Sequence, residues 1–194
     1  MLHLDDEKIL KLDLIANISM LGFFDKHKPT KILRNGQSLM AQGKSDEDWW
    51  YLSLKDVSVF DWFIEQTGSD DRYLATIDDS ILERVKGRFT CSWVLSCQRL
   101  YLPDDVKLTS STINVSSVLV SDAEHIYANS NYKTFTSVEY IREQIEQGPS
   151  SAYRIGDELV GWALTHDDGA MGMLHVLDKY RRKGIAKAVV VDLI

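Results

Sequence analysis

The densest concentration of reactive side chains lies in "YRRKGIAKAVVVDLI", Tyr180 to Ile194. Lys179, Arg181, Arg182, Lys183 and Lys187 put five cations within nine residues, Gly184 and Ala186 stand among them, and an apolar run follows. This is how a turn that opens a helix is written. The first-turn amides of a helix have no intrahelical acceptor, so they point outward and can donate to an anion, with the helix dipole adding attraction. At Gly184 and Ala186 a pyrophosphate could approach the backbone, which any longer side chain would prevent. The arginines and lysines bring charge to such a polyanionic ligand. The spacing is Arg181-x-x-Gly184-x-Ala186.

The chain as a whole has the opposite sign. Its net charge of −7 over 194 residues argues against a nucleic-acid-tracking surface, which needs a domain-wide basic excess. There is no G-x-x-x-x-G-K-[ST], so a phosphate-loop kinase fits poorly. No stretch approaches the roughly 18 apolar residues that span a bilayer, and "MLHLDDEKILKLDL" has acids where a secretory signal has bases. The expectation is a soluble, cytoplasmic protein with neither membrane nor nucleic acid as partner. Cys91 and Cys97 match no zinc or redox spacing; they are expected to be reduced thiols at sheet positions, and no metal site is expected.

The elements that must position the basic turn can be read from periodicity and punctuation. With 44% hydrophobic residues the chain can bury one core or two small ones. "DDEKILKLDLIANISML" spaces Ile9, Leu12, Ile15 and Ile18 three apart behind first-turn acids, which predicts a helix with those residues inward. "DWWYLSL" and "VSVFDWFI" suit strands or a packed helix edge. "RYLATID" reads as a short strand, "DDSILERVKG" as a helix closed by Gly87, and "CSWVLSCQRLYL" as a strand ended by Pro103. "LPDDVKLTSST" is the expected boundary, dividing the chain into 1–112 and 113–194.

Beyond the boundary, "INVSSVLV" resembles a strand and Asp122 a cap for the helix "AEHIYANSNY". Thr136 with Glu139 reads as a capping box for a helix that buries Val138, Ile141 and Ile145 and stops at Gly148-Pro149. "SAYRI", the turn "GDE" and "LVGWALT" form a hairpin, "HDDG" turns the chain, and "AMGMLHVL" is a third strand leading into the basic turn and helix.

In that order of elements, R-x-x-G-x-A resembles the acetyl-CoA-binding motif of the GCN5-related N-acetyltransferases. "VGWALTHDDGAMGMLHVLDKYRRKGIA" more specifically resembles their glycine N-acyltransferase-like, FR47-like branch, good over residues 114–194 and faint before. "CQRLYL" is similar to the N-terminal half of that branch. The resemblance implies an α+β fold with a central, mostly antiparallel sheet flanked by helices, its C-terminal part incomplete. It implies an N-acyltransferase moving an acyl group from acetyl-CoA or another acyl-CoA to a small-molecule or protein amine. The amine would attack the thioester directly, through an oxyanion and with a base to take the proton. The alternative is a non-catalytic module of this fold that binds CoA or a partner chain without turnover.

Carried over by position, Arg181, Arg182, Lys183, Gly184, Ile185 and Ala186 would hold the pyrophosphate, and Leu174, His175 and Val176 would offer backbone groups to the pantetheine arm and thioester. Tyr127, Tyr132 and Phe135 would border the acceptor. The family pattern has a glutamate base where this chain has Ala170, which cannot accept a proton. His175 is then the candidate base, with His166, Asp167 and Asp168 read as a solvated turn. The family fold also continues past this helix, so the expectation is a chain that stops inside the acyl-CoA-binding half, with a second copy able to cover the unfinished edge as a homodimer.

Overall fold

The structure, a computed structural model, describes residues 2–75, 78–103 and 105–194. It is mixed α+β with mostly antiparallel sheets flanked by helices, as the sequence led us to expect, and among the described residues the strands form two sheets, of four and three strands. They fall in two compact units, Met1–Leu102 and Pro103–Ile194.

In the first unit, helices α1 (Leu4–Lys11) and α2 (Leu14–Lys26) precede strands β1 (Pro29–Asn35), β2 (Ser38–Lys44) and β3 (Asp48–Ser53), an antiparallel meander. After a short 3-10 turn at Val57–Val59, α3 (Phe60–Glu65) leads to β4 (Tyr73–Ala75), which pairs in parallel with β3, and α4 (Asp79–Arg88) follows. Phe23 and Phe24 of α2 pack on Leu39, Ala41 and Tyr51 of the sheet. On the other side Trp50 and Met40 bury against Phe60, Phe63, Ile81 and Val85 of α3 and α4.

Several expectations fail here for identifiable reasons. The single N-terminal helix is two, because the Asp13 side chain accepts from Ala16 N at 3.1 Å and so starts a new helix. The break rotates the second helix. Leu12, Ile15 and Ile18 are exposed, and Leu10, Met20, Phe23 and Phe24 take the buried places. Gly87 does not close α4 but lies inside it, the cap being Phe89. "CSWVLSCQRLYL" forms no strand: none of the described strands pairs with it, and Cys91 and Cys97 are exposed free thiols rather than sheet residues. Arg99 Nη1 instead donates to the carbonyls of Ile15 and Ala16 at 2.8 and 2.6 Å. Of the expected strand "RYLATID", Tyr73–Ala75 is formed, while Thr76 and Ile77, like Asp104 of the boundary stretch and Met1, lie outside the described residues.

The second unit positions the site. Helices α5 (Ala123–Ala128) and α6 (Val138–Gln147) precede the meander β5 (Ser150–Ile155), β6 (Glu158–Thr165) and β7 (Met171–Val176), and α7 (Ile185–Leu193) follows. The hairpin, third strand and helix stand where the sequence reading put them. "INVSSVLV" is not a full strand: Ser116 bridges Ala152, but the next donor inward, Val118 N, is taken by the Ser150 hydroxyl at 3.1 Å, which ends the ladder. Asp122 starts α5 without a side-chain cap bond. Its carboxylate accepts from Leu119 N at 2.8 Å and pairs with Arg154. Ser137, not Thr136, caps α6, accepting from Tyr140 N at 3.0 Å. Ile141 and Ile145 are buried as expected, with Val138 packed at the margin of the same core around Trp162 and Ile126.

Helix α7 lies on β5, β6 and β7, and Gly161 of β6 makes that possible: a Cβ there would stand 2.6 Å from Ile185 Cγ2. Gly161→Ala should therefore lower stability by about 1–3 kcal/mol through overpacking. Gly87→Ala should raise it by about 0.5–1 kcal/mol, because the position is helical and has nothing within 4 Å of an added Cβ. Urea denaturation of the two variants checks both signs.

Candidate functional site

Strand β7 is the edge of its sheet and is not regular. Trp162 pairs with His175 and Leu164 with Gly172, so two steps along β6 correspond to three along β7. The extra residue makes a bulge at Met173 and Leu174, with Met173 in the left-handed region at φ 52°. The bulge breaks the ladder just before His175 and Val176, on a strand whose outer side faces no other described strand.

A 3-10 turn, Asp178–Tyr180, then leads to the basic turn. Arg182 (φ 63°) and Gly184 (φ 81°) are both left-handed, and Gly184 is the N-cap of α7. The first intrahelical bond runs from Ala188 N to Gly184 O, so the amides of Ile185, Ala186 and Lys187 precede it and have no intrahelical acceptor. No side chain caps them. The left-handed conformation is what lets the chain reverse and present these amides, and at Gly184 it costs nothing, whereas Arg182 pays about 1–2 kcal/mol for it.

The bulged edge and the helix start face one open pocket of about 480 Å³. It is lined by Leu174, His175 and Val176 from β7, by Tyr180, Arg181, Arg182 and Gly184 from the turn, by Ile185, Ala186 and Lys187 from α7, and by Asn131. No carboxylate is among the lining residues. The place is therefore locally cationic on an acidic chain, and its strand edge and helix amides are adjacent. Such a site can hold a multiply charged phosphate group at one end and an extended arm along the other.

His175 stacks on the ring of Trp162, centroids 4.9 Å apart and planes at 22°, and His125 meets the same indole edge-on at 5.5 Å. Burial pushes the His175 pKa below its ordinary value of 6.5; the charge of Arg181 adds to this and Asp178 opposes it. The imidazole is thus held in its neutral, proton-accepting form at neutral pH. His166 opens the turn as expected, its N–H donating to the Ala170 carbonyl at 2.8 Å, but it is half-buried rather than fully solvated. Its ring lies over Gly172, where a Cβ would come within 1.9 Å of Nε2, and its Nδ1 is 3.2 Å from the Tyr140 hydroxyl, which also donates to Asp167 at 3.3 Å.

The structure brings eight of the nine residues proposed for the cofactor into this one pocket. The ninth, Lys183, lies with its ammonium 5.4 Å from the Tyr180 ring centroid, outside the lining. Tyr127, Tyr132 and Phe135 are also outside it: Tyr127 packs on the α6 core and the other two are exposed. Lys187 was visible in the sequence as part of the cation cluster but not as a lining residue. Asn131 and Tyr180 were missed; Asn131 sits in a polar loop that carries no signal.

Residues 153–194, which contain β6, the bulged strand, the turn and α7, match the model of the family described as FR47-like protein. An X-ray structure of a Drosophila protein superimposes with a TM-score of 0.69 at 16% identity, covering 97% of this chain and 81% of that one; the likeness is one of fold. No curated protein matches the sequence.

The depressed His175 pKa has a sign that can be checked. The folded state binds its proton less readily than the unfolded state, so the contribution to stability is fully present above 6.5 and is lost as pH falls through the lower folded value. An NMR titration of the His175 ring should give a midpoint below 6.5, and His175→Phe should flatten the loss of stability between pH 7 and 5. A midpoint at or above 6.5 would contradict the stacked, desolvated environment.

Proposed function

We propose that the second unit is an acyl-CoA site that supports N-acyl transfer to an amine. The observation that carries this reading is the juxtaposition in one pocket of an open, bulged strand edge at Leu174–Val176 with the three first-turn amides of α7. The amides and the cations of the turn would hold the pyrophosphate. The edge of β7 would pair with the pantetheine arm as a strand pairs with a strand. The amine lone pair attacks the thioester carbonyl carbon, neutral His175 takes the proton of the resulting ammonium, the carbon–sulfur bond breaks to release the CoA thiolate, and the protonated His175 returns that proton to the thiolate sulfur. No covalent intermediate on the protein is required. The exposed free thiols Cys91 and Cys97 suit a reducing, cytoplasmic setting, and among the described residues no helix is long and apolar enough to cross a membrane.

The first unit supports the same reading by contrast. It has a like order of two helices, a three-stranded meander, a 3-10 turn and a helix, and we infer a degenerate copy of the fold. Its turn carries no glycine. Asp56 caps it by accepting from Ser58 N at 2.8 Å, and β4 occupies the edge of β3. An anion and an extended arm would find both places filled.

A second reading, CoA binding without turnover, is favoured by Ala170, whose position supplies no carboxylate. Isothermal titration of acetyl-CoA and a thiol-release assay over a panel of amines, glycine included, separate the two. Micromolar binding is expected, and Ala186→Glu should weaken it by about tenfold or more by setting a carboxylate against the phosphates. Gly184→Glu should abolish it, and Ala186→Glu, which needs no left-handed residue, serves as the control for folding. Binding without thiol release for any amine would establish the second reading; unchanged affinity in Ala186→Glu would remove the phosphate turn from the site.

A further inference from the structure

The five cations of the turn are not equivalent in the folded chain. Lys179 Nζ lies 2.8 Å from Glu158 Oε1, and the Tyr180 hydroxyl donates to the other oxygen of the same carboxylate at 2.8 Å. Lys179 and Tyr180 hold the Glu158 carboxyl below the usual range, and Glu158 raises Lys179. The Tyr180 ring in turn lies beneath two ammonium groups, those of Lys179 at 4.8 Å and Lys183 at 5.4 Å. Arg181 is engaged twice. Its Nε donates to the Val176 carbonyl at 3.0 Å and its Nη2 pairs with Asp178 at 2.7 Å. Arg182 and Lys187 line the pocket, and neither has a partner among the described residues.

We propose that, of the five cations, only Arg182 and Lys187 join the first-turn amides in binding the anion, and that Arg181, the arginine that opens the R-x-x-G-x-A motif, is a positioning residue that ties the turn to the end of β7. The inference rests on the acyl-CoA reading for the identity of the anion. The bond to Val176 O spans the junction of the site, since Val176 ends the strand that would take the arm and Arg181 begins the turn that would take the phosphates. It fixes the distance between the two halves of the ligand. Asp178 neutralises the guanidinium at the same time, so Arg181 contributes a donor in a set place more than a charge. Arg182, held left-handed at φ 63°, is the cation whose backbone pays for its position, and strain of this kind gathers where a ligand is held.

The test exploits the difference between a donor and a charge. Glutamine at position 181 can still donate to a carbonyl but carries no charge, and methionine can do neither. In the ligand-free protein, Arg181→Met should shift the amide resonances of residues 182–187, and Arg181→Gln should leave them near wild type. In acetyl-CoA titrations over a range of NaCl, Arg181→Met should lose about tenfold or more in affinity, and Arg181→Gln should recover most of it with an unchanged salt dependence. Lys187→Met should weaken binding and flatten the salt dependence while leaving the free spectrum of the turn intact. Equal losses in Arg181→Gln and Arg181→Met, each with a flattened salt dependence, would make Arg181 a phosphate ligand and overturn the proposal. So would turn resonances that do not move in Arg181→Met. A wild-type chain that fails to bind acetyl-CoA would overturn the acyl-CoA reading separately, and the ligand-free spectra would still decide the role of Arg181.

Discussion

Helix α7 can bring its first amides beside strand β7 only because Gly161 has no side chain. Ile185, the first residue of the helix, rests where a Cβ of residue 161 would be, and Val160, Val176 and Ile185 close a small core at that point. A helix held further from the sheet would carry its amides away from the strand edge, and the pocket would open into two unconnected features. The left-handed Gly184 is the second half of the same constraint. It turns the chain from the plane of the sheet to the helix axis within one residue, without the cost a Cβ would add.

The electrostatics follow from this packing. An acidic chain concentrates its cations at one turn, and there pairs off those that would interfere: Lys179 with Glu158, Arg181 with Asp178 and the Val176 carbonyl. What is left facing the pocket is a limited positive charge reinforced by three backbone donors. Exposed ion pairs of this type are worth little to global stability. Their effect is on geometry, because each restricts where a long side chain can stand. Trp162 of β6 is a buried floor for His175, so the strand with the open edge also holds this stacked imidazole.

Much of the second unit was legible in the residues, since its signals are local. Gly148-Pro149, the Gly156 turn and the alternation of "LVGWALT" each fix an element without reference to the rest of the chain. The motif at 181–186 was legible because helix-start chemistry is short-range. Tertiary choices were not. The stripe Ile9, Leu12, Ile15 and Ile18 has helical spacing, yet one aspartate, Asp13, starts a new helix that turns Ile15 and Ile18 outward, and Leu12 is left exposed at the break. "CSWVLSCQRLYL" has strand composition, but composition cannot supply a ladder partner. The engagement of Arg181 was hidden for the same reason: which of five adjacent cations is free depends on Glu158 and Asp178, and only the fold brings Glu158 to the turn.

The central claim is that strand edge and helix start form one site. The most direct test is a two-dimensional amide NMR titration of the 194-residue chain with acetyl-CoA. The account predicts concerted shifts at Leu174–Val176 and Ile185–Lys187, saturating together, with the amides of the first unit unmoved. Shifts at only one of the two segments, or a response centred on the first unit, would contradict it.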